Sequence, residues 1–114
     1  MTDCIFCRIV AGEIPAKLIL ETENVVAFHD LNPAAPQHAL VIPRRHIATL
    51  DVATEEERGL LGELMLAGAE VARLLGCAEK GYRTVMNCNE DGGQSVYHIH
   101  LHVLGGRSLS WPPG

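Results

Sequence analysis

The stretch SVYHIHLHVLGG, Ser95 to Gly106, sets three of the chain's six histidines at every second position, with Ile99 and Leu101 between them. Tyr97, Ile99, Leu101 and Val103 alternate with His98, His100 and His102 at the period of two that a half-buried strand imposes; a helix would scatter them. The spacing predicts a strand over Val96 to Leu104 with all three imidazoles on one face. Successive histidines then lie about 6.6 Å apart and the outer two about 13 Å apart at the backbone. Two such neighbours can share a metal at Zn–N distances of about 2.0–2.1 Å, but three converging on one ion would strain the strand. At least one histidine therefore needs a different task. Imidazole is a poor strand filler and titrates near neutral pH, so the row reads as functional.

Working outward, 114 residues with 47% hydrophobic and 20% charged content fit one domain over 1–114, with 105–114 as a C-terminal tail. The first residues, MTDCIFCRIV, lack the basic region and long apolar core of a signal peptide. No apolar run approaches the ~18 residues of a membrane span. The expectation is a cytoplasmic protein with no membrane partner. Four cysteines without an export signal then argue for reduced thiols or metal ligands, not a disulfide framework. A net charge of −5 with scattered Lys and Arg leaves no footprint for duplex nucleic acid.

Local signals predict the remaining elements. Asp3 is placed to cap a short helix over roughly residues 4 to 11, with Gly12 ending it. Lys17 to Glu21, Asn24 to Asp30 and Ala39 to Pro43 read as strands, the last two joined by the Pro-rich turn LNPAAPQ. A capping box of Thr54 and Glu57 opens a helix that runs to about Leu75 before Gly76. Its apolar stripe is Leu60, Leu61, Leu64, Met65, Val71, Ala72 and Leu75. Tyr82 to Cys88 and Val96 to Leu104 form a hairpin across NEDGGQ, with Cys77 and Cys88 as small buried residues. The resulting fold class is α+β: a five-stranded, mostly antiparallel sheet with one long helix and a short N-terminal helix.

HIHLHVL, together with EIPAK, AFHDLNPAAPQHALVIPRRHI, GGQSVYHIHLHVLGGR and SWPPG, resembles the histidine triad superfamily, and in particular its Hint branch. In the related uridylyltransferase branch a glutamine replaces the third histidine, so His102 points to Hint over that branch. The resemblance implies a purine nucleoside phosphoramidase that cleaves P–N bonds through a nucleotidyl-histidine intermediate, without a catalytic metal. It implies His100 as nucleophile, with His98, His102, His38 and Ser95 completing the catalytic set. It places Asp30 on the ribose hydroxyls, a role that suits a carboxylate accepting from two vicinal OH groups. Phe6, Ile9, Ile14, Phe28, His29, Leu31 and Leu40 would wall the base. Asn87, Gly93, Gln94, Ser95 and Val96 would border ribose and phosphate beside His100 and His102. The implied ligands are purine nucleotides, AMP, GMP or their phosphoramidates.

Cys4-Ile5-Phe6-Cys7 is half of a zinc signature, and on its own it is equally two plain helix cysteines. Three preceding residues cannot supply the strand that a thioredoxin-like motif requires. Some triad proteins with this pair complete a structural Cys₂His₂ zinc site with the histidines corresponding to His46 and His98. The resemblance also implies a homodimer with a continuous sheet, in which Trp111 of the tail approaches the other subunit's site. Two rivals remain. A metal-dependent hydrolase using an HxH pair predicts activity lost to chelators, and a non-catalytic nucleotide-binding or scaffolding module predicts affinity without turnover.

Overall fold

The computed structural model describes residues 3–114. A short helix α1, Ile5–Val10, begins at Cys4, whose Sγ accepts the Cys7 N–H at 3.4 Å. The cap is therefore Cys4 and not Asp3, because Cys4 is the extended residue immediately before the first helical turn. Gly12, at φ +80°, adopts the left-handed conformation that ends the helix.

Strands β1 (Leu18–Glu21), β2 (Val25–His29), β3 (Gln37–Pro43), β4 (Tyr82–Val85) and β5 (Leu101–Gly105) form one sheet in the order β1-β2-β3-β5-β4. All neighbouring pairs are antiparallel. Between β3 and β4 lie two 3-10 turns, Leu50–Val52 and Glu55–Glu57, and the long helix α2, Arg58–Leu74. The Thr54/Glu57 capping box is present, but it closes the second 3-10 turn, and α2 starts one residue beyond it. Glu57 also accepts from Arg45 at 2.8 Å, tying the start of the helix to the segment after β3.

Both faces of the central strands are covered, so β2 and β3 are apolar almost throughout. Val25, Ala27, Ala39, Val41, Leu101 and Val103 pack with Leu64, Val71 and Ala72 of α2. Val26, Phe28, Leu40 and Ile42 face the other way and pack with Phe6 of α1. Period two places His38 on the α1 side with Leu40, and the register sets Leu40 opposite His102. Within α2 the buried stripe includes Ala67 and Gly68, and Met65 is exposed, contrary to the expected stripe. At Gly68 the helix passes so close to β5 that an added Cβ would lie 2.8 Å from Leu101 Cδ2.

The strand expected over Val96 to Leu104 is shorter, and it is not one arm of a tight hairpin. The ladder covers only Leu101–Gly105, and residues 86–100 run as an irregular connection from β4. Pro43, where β3 ends, has no N–H to donate. Ile99 N–H instead donates to Ile47 O at 2.8 Å, diverting the chain from the sheet just before the strand. Cys77 is buried as expected, whereas Cys88, on the irregular connection, is half-buried. Among the described residues no helix is long and apolar enough to cross a membrane.

Candidate active site

The diverted segment carries His98 and His100 on the same side of the sheet as His102. Phe6 packs near-perpendicular to both His98 and His100, with centroids 5.8 and 5.1 Å away. His100 and His102 lie 5.0 Å apart, centroid to centroid. Their protonation states follow from partners that have only one possible role. His100 Nδ1 lies 2.8 Å from the carbonyl of His98, so it carries the proton and donates. Its Nε2 is left with a free lone pair.

His102 is set the opposite way, through two links. The Ala34 N–H donates to His38 Nδ1 at 2.9 Å, so the proton of neutral His38 is on Nε2. That N–H points at His102 Nδ1, 2.9 Å away, and at Asp30 Oδ2, 3.3 Å away. His102 Nδ1 is thus an acceptor, and its Nε2 carries the proton. One imidazole offers an electron pair and its neighbour offers an N–H. Asp30 also accepts the Asn32 N–H at 2.8 Å, which fixes its carboxylate at the end of β2.

Burial keeps His38 and His102 neutral. It lowers His38 against the opposing pull of Asp30, and it takes His102 down to about 4, helped by His100 and His38. Folded-state values below the unfolded value of 6.5 mean that the folded state binds protons less readily than the unfolded chain. The stabilisation is complete above about pH 6.5 and is lost as pH falls toward about 4. The melting temperature is therefore expected to hold steady above pH 6.5 and to decline steadily below it. A value unchanged down to pH 4.5 would contradict this account.

A cavity of about 250 Å³ opens in front of the two rings. Of the residues expected to bind nucleotide, Phe6, Ile9, Ile14, Phe28, His29, Asp30, Leu31, Leu40, Ser95, Val96, His100 and His102 line it. Asn87, Gly93 and Gln94 are not among its lining residues. Gln94 spends its amide on the backbone, donating to Ala48 O and Val96 O and accepting from Asn89 N, and so braces the loop that presents Ser95. Ile5, Pro15, Ala16 and Lys17 also line the cavity, although nothing in their local pattern marked them. A larger hollow of about 500 Å³ lies beyond the far end of β5, lined by residues such as Gln37, Leu75, Lys80 and Arg107. It contains no histidine or carboxylate, so the reactive groups belong to the smaller cavity.

His98 does not line that cavity. It is completely buried, donates from Nε2 to Pro43 O at 2.8 Å, and turns Nδ1 toward sulfur. Nδ1 is 3.3 Å from Cys4 Sγ, 3.6 Å from Cys7 Sγ and 3.3 Å from His46 Nδ1, and His46 Nδ1 is 3.3 Å from Cys7 Sγ. A tetrahedral zinc, with Zn–S of about 2.3 Å and Zn–N of about 2.0–2.1 Å, needs ligand-to-ligand edges of about 3.3–3.8 Å. The four side chains brought together by α1, by the segment after β3 and by the diverted segment have that size and chemistry. Burial, reinforced by the neighbouring Cys4, holds the Cys7 thiol above its usual range, so a cation is what would make it a thiolate ligand.

A family profile described as the HIT domain matches residues 11–109. A HIT-like protein of Synechococcus elongatus is 52% identical over 112 residues, covering 98% of this chain and 97% of its own length. The crystal structure of a HIT family hydrolase from Legionella pneumophila superposes with a TM-score of 0.96 at 48% identity, covering 98% of this chain and all of that one. A histidine triad protein from Clostridium difficile gives a TM-score of 0.93 at 40% identity, covering 96% of both chains.

Proposed function

Since this chain belongs to the HIT domain family, we propose that it is a nucleotide hydrolase of the Hint type, cleaving the P–N bond of purine nucleoside phosphoramidates such as adenosine 5′-monophosphoramidate. The observation that carries this reading is the opposite protonation of His100 and His102 across one cavity. In the first step the His100 Nε2 lone pair attacks phosphorus. The P–N bond to the amine breaks, with the leaving nitrogen held by a hydrogen bond from His102 Nε2–H and taking its proton from solvent. The nucleotidylated ring is cationic, and its Nδ1–H remains bonded to the His98 carbonyl. In the second step water attacks the same phosphorus, and its proton leaves to solvent. The P–N bond to His100 breaks, and the nucleoside monophosphate is released. The Ser95 hydroxyl and nearby backbone N–H groups are the donors available to the equatorial oxygens. Asp30 is the acceptor for the ribose hydroxyls, with the Phe6, Ile9, Ile14 and Phe28 walls around the base.

The same hydrogen bonds favour this reading over metal-dependent hydrolysis. Asp30, His38 and His102 form a cluster of potential ligands. His38, however, carries its proton on the nitrogen that faces the other two, and moving it to Nδ1 would set N–H against the Ala34 N–H. Turnover of adenosine 5′-monophosphoramidate with and without chelator is the test. Release of AMP that survives chelation supports the proposal, and loss of all turnover in folded, chelated protein supports the metal-dependent reading. Nucleotide binding with no turnover in either condition would leave a binding module.

The proposal includes a structural zinc on Cys4, Cys7, His46 and His98, with four protein ligands and so no open position for chemistry. It also includes a homodimer. β4 is an edge strand, and Trp111 is 79% exposed in the single chain, with the Arg83 guanidinium 5.9 Å over its ring. An open edge beside an exposed tryptophan suits pairing with a second copy, which would bring Trp111 to the partner's cavity. Sedimentation at micromolar concentration is expected to give a dimer, and a monomer would end this part of the proposal.

A further inference from the structure

Arg107 lies outside the nucleotide cavity, yet it holds the backbone that decides which nitrogen of His102 carries the proton. Its Nη2 donates to Ala34 O at 3.0 Å. The N–H of the same residue donates to His38 Nδ1 at 2.9 Å, and His38 Nε2 is 2.9 Å from His102 Nδ1. Ala34 belongs to the irregular connection between β2 and β3, where Leu31 is 89% exposed and two prolines remove backbone donors. The tail is shaped to hold this connection. Gly106, at φ +90°, turns the chain so closely over the loop that an added Cβ would lie 2.9 Å from Pro36 Cβ. A side chain would be strained there and would collide with the loop, so glycine allows Arg107 to reach across.

We propose that Arg107 is a positioning residue: by clamping Ala34 it maintains the His38 tautomer, and through it the His102 Nε2–H that hydrogen-bonds the leaving nitrogen. The kinetic part rests on the phosphoramidase reading, and the tautomer part does not. Without the guanidinium, the Ala34 peptide loses the partner of its carbonyl and the N–H on its other side loses its aim. His38 is then free to carry its proton on either nitrogen, and His102 follows.

Arg107→Met keeps the aliphatic stem, and Arg107→Lys keeps a donor able to reach Ala34 O. The first measurement is ¹⁵N NMR of the histidine rings in the intact protein. Wild type and Arg107→Lys are expected to show His102 protonated at Nε2, and Arg107→Met a mixture of tautomers. The second compares two AMP derivatives, an alkylamine phosphoramidate, whose leaving group must be protonated, and a p-nitrophenyl ester, whose leaving group need not be. Arg107→Met is expected to lower kcat on the phosphoramidate by about 3- to 10-fold, in proportion to the fraction of His102 that has lost its Nε2–H. On the ester its kcat should stay within about twofold of wild type. Unchanged tautomers in Arg107→Met would overturn the proposal, as would equal losses on both substrates. Should wild type turn over neither substrate, a tautomer shift in Arg107→Met would still uphold the clamp, and only the phosphoramidase reading would fall.

Discussion

His100→Asn is expected to reduce turnover of adenosine 5′-monophosphoramidate by a factor on the order of 10⁴–10⁶, the range seen when a unique nucleophile is removed. Asparagine can still donate toward the His98 carbonyl, which His100 Nδ1 reaches at 2.8 Å. It has no lone pair of comparable nucleophilicity to offer phosphorus. The fold should survive, because the cavity side of His100 is bounded by Phe6 and His102 and does not lie in the α2-facing core. AMP affinity should stay within severalfold of wild type, since Asp30 and the apolar walls are untouched. Mass spectrometry of denatured wild type, quenched during turnover, should show a nucleotidyl adduct absent from the variant. Wild-type-like turnover in His100→Asn would falsify the assignment, whatever the substrate proves to be.

Removal of the proposed zinc is the second large effect expected, and it falls on stability more than on rate. An ion that binds the folded chain at a thousandfold excess over its Kd contributes about 4.1 kcal/mol by mass action. In a domain of this size that corresponds to roughly 15 °C in melting temperature, at about 4 °C per kcal/mol. The effect should be this large because the four ligands join segments far apart in the chain, with Cys4 and His98 separated by 94 positions. The zinc-free protein that remains folded should keep most of its rate constant, since Nε2 of His98 still donates to Pro43 O and its carbonyl still accepts from His100. Elemental analysis should find one zinc per chain. Protein purified without chelators that holds no zinc, even after zinc is added, would refute the site. A chelator that abolishes rate while leaving the melting temperature unchanged would refute its structural role.

Much of the architecture was legible because its signals are local. Near-continuous apolar runs in VVAFH and ALVIP mark strands covered on both faces, Thr54 and Glu57 make the expected capping box, and Gly12 and Gly76 take positive φ after the two helices. The sequence read the long helix but misplaced part of its buried face. Met65 is apolar yet exposed, and Gly68 is buried because β5 passes too close for a side chain. Which apolar residue meets a neighbour depends on the approach of the second element, and period alone does not contain that.

By itself the sequence determined that the histidines of HIHLH share a face and that the sheet has five strands. These follow from periods of two and 3.6, which every residue enforces on its near neighbours. Only the tertiary structure decided what each imidazole faces. His98 turns from the cavity to two cysteines, His100 is tautomerised by the carbonyl of His98, and His102 by a backbone N–H at Ala34 acting through His38. A proton's place on an imidazole is set by the atom opposite it. Here that atom can belong to a residue tens of positions away, brought into line only when the sheet closes.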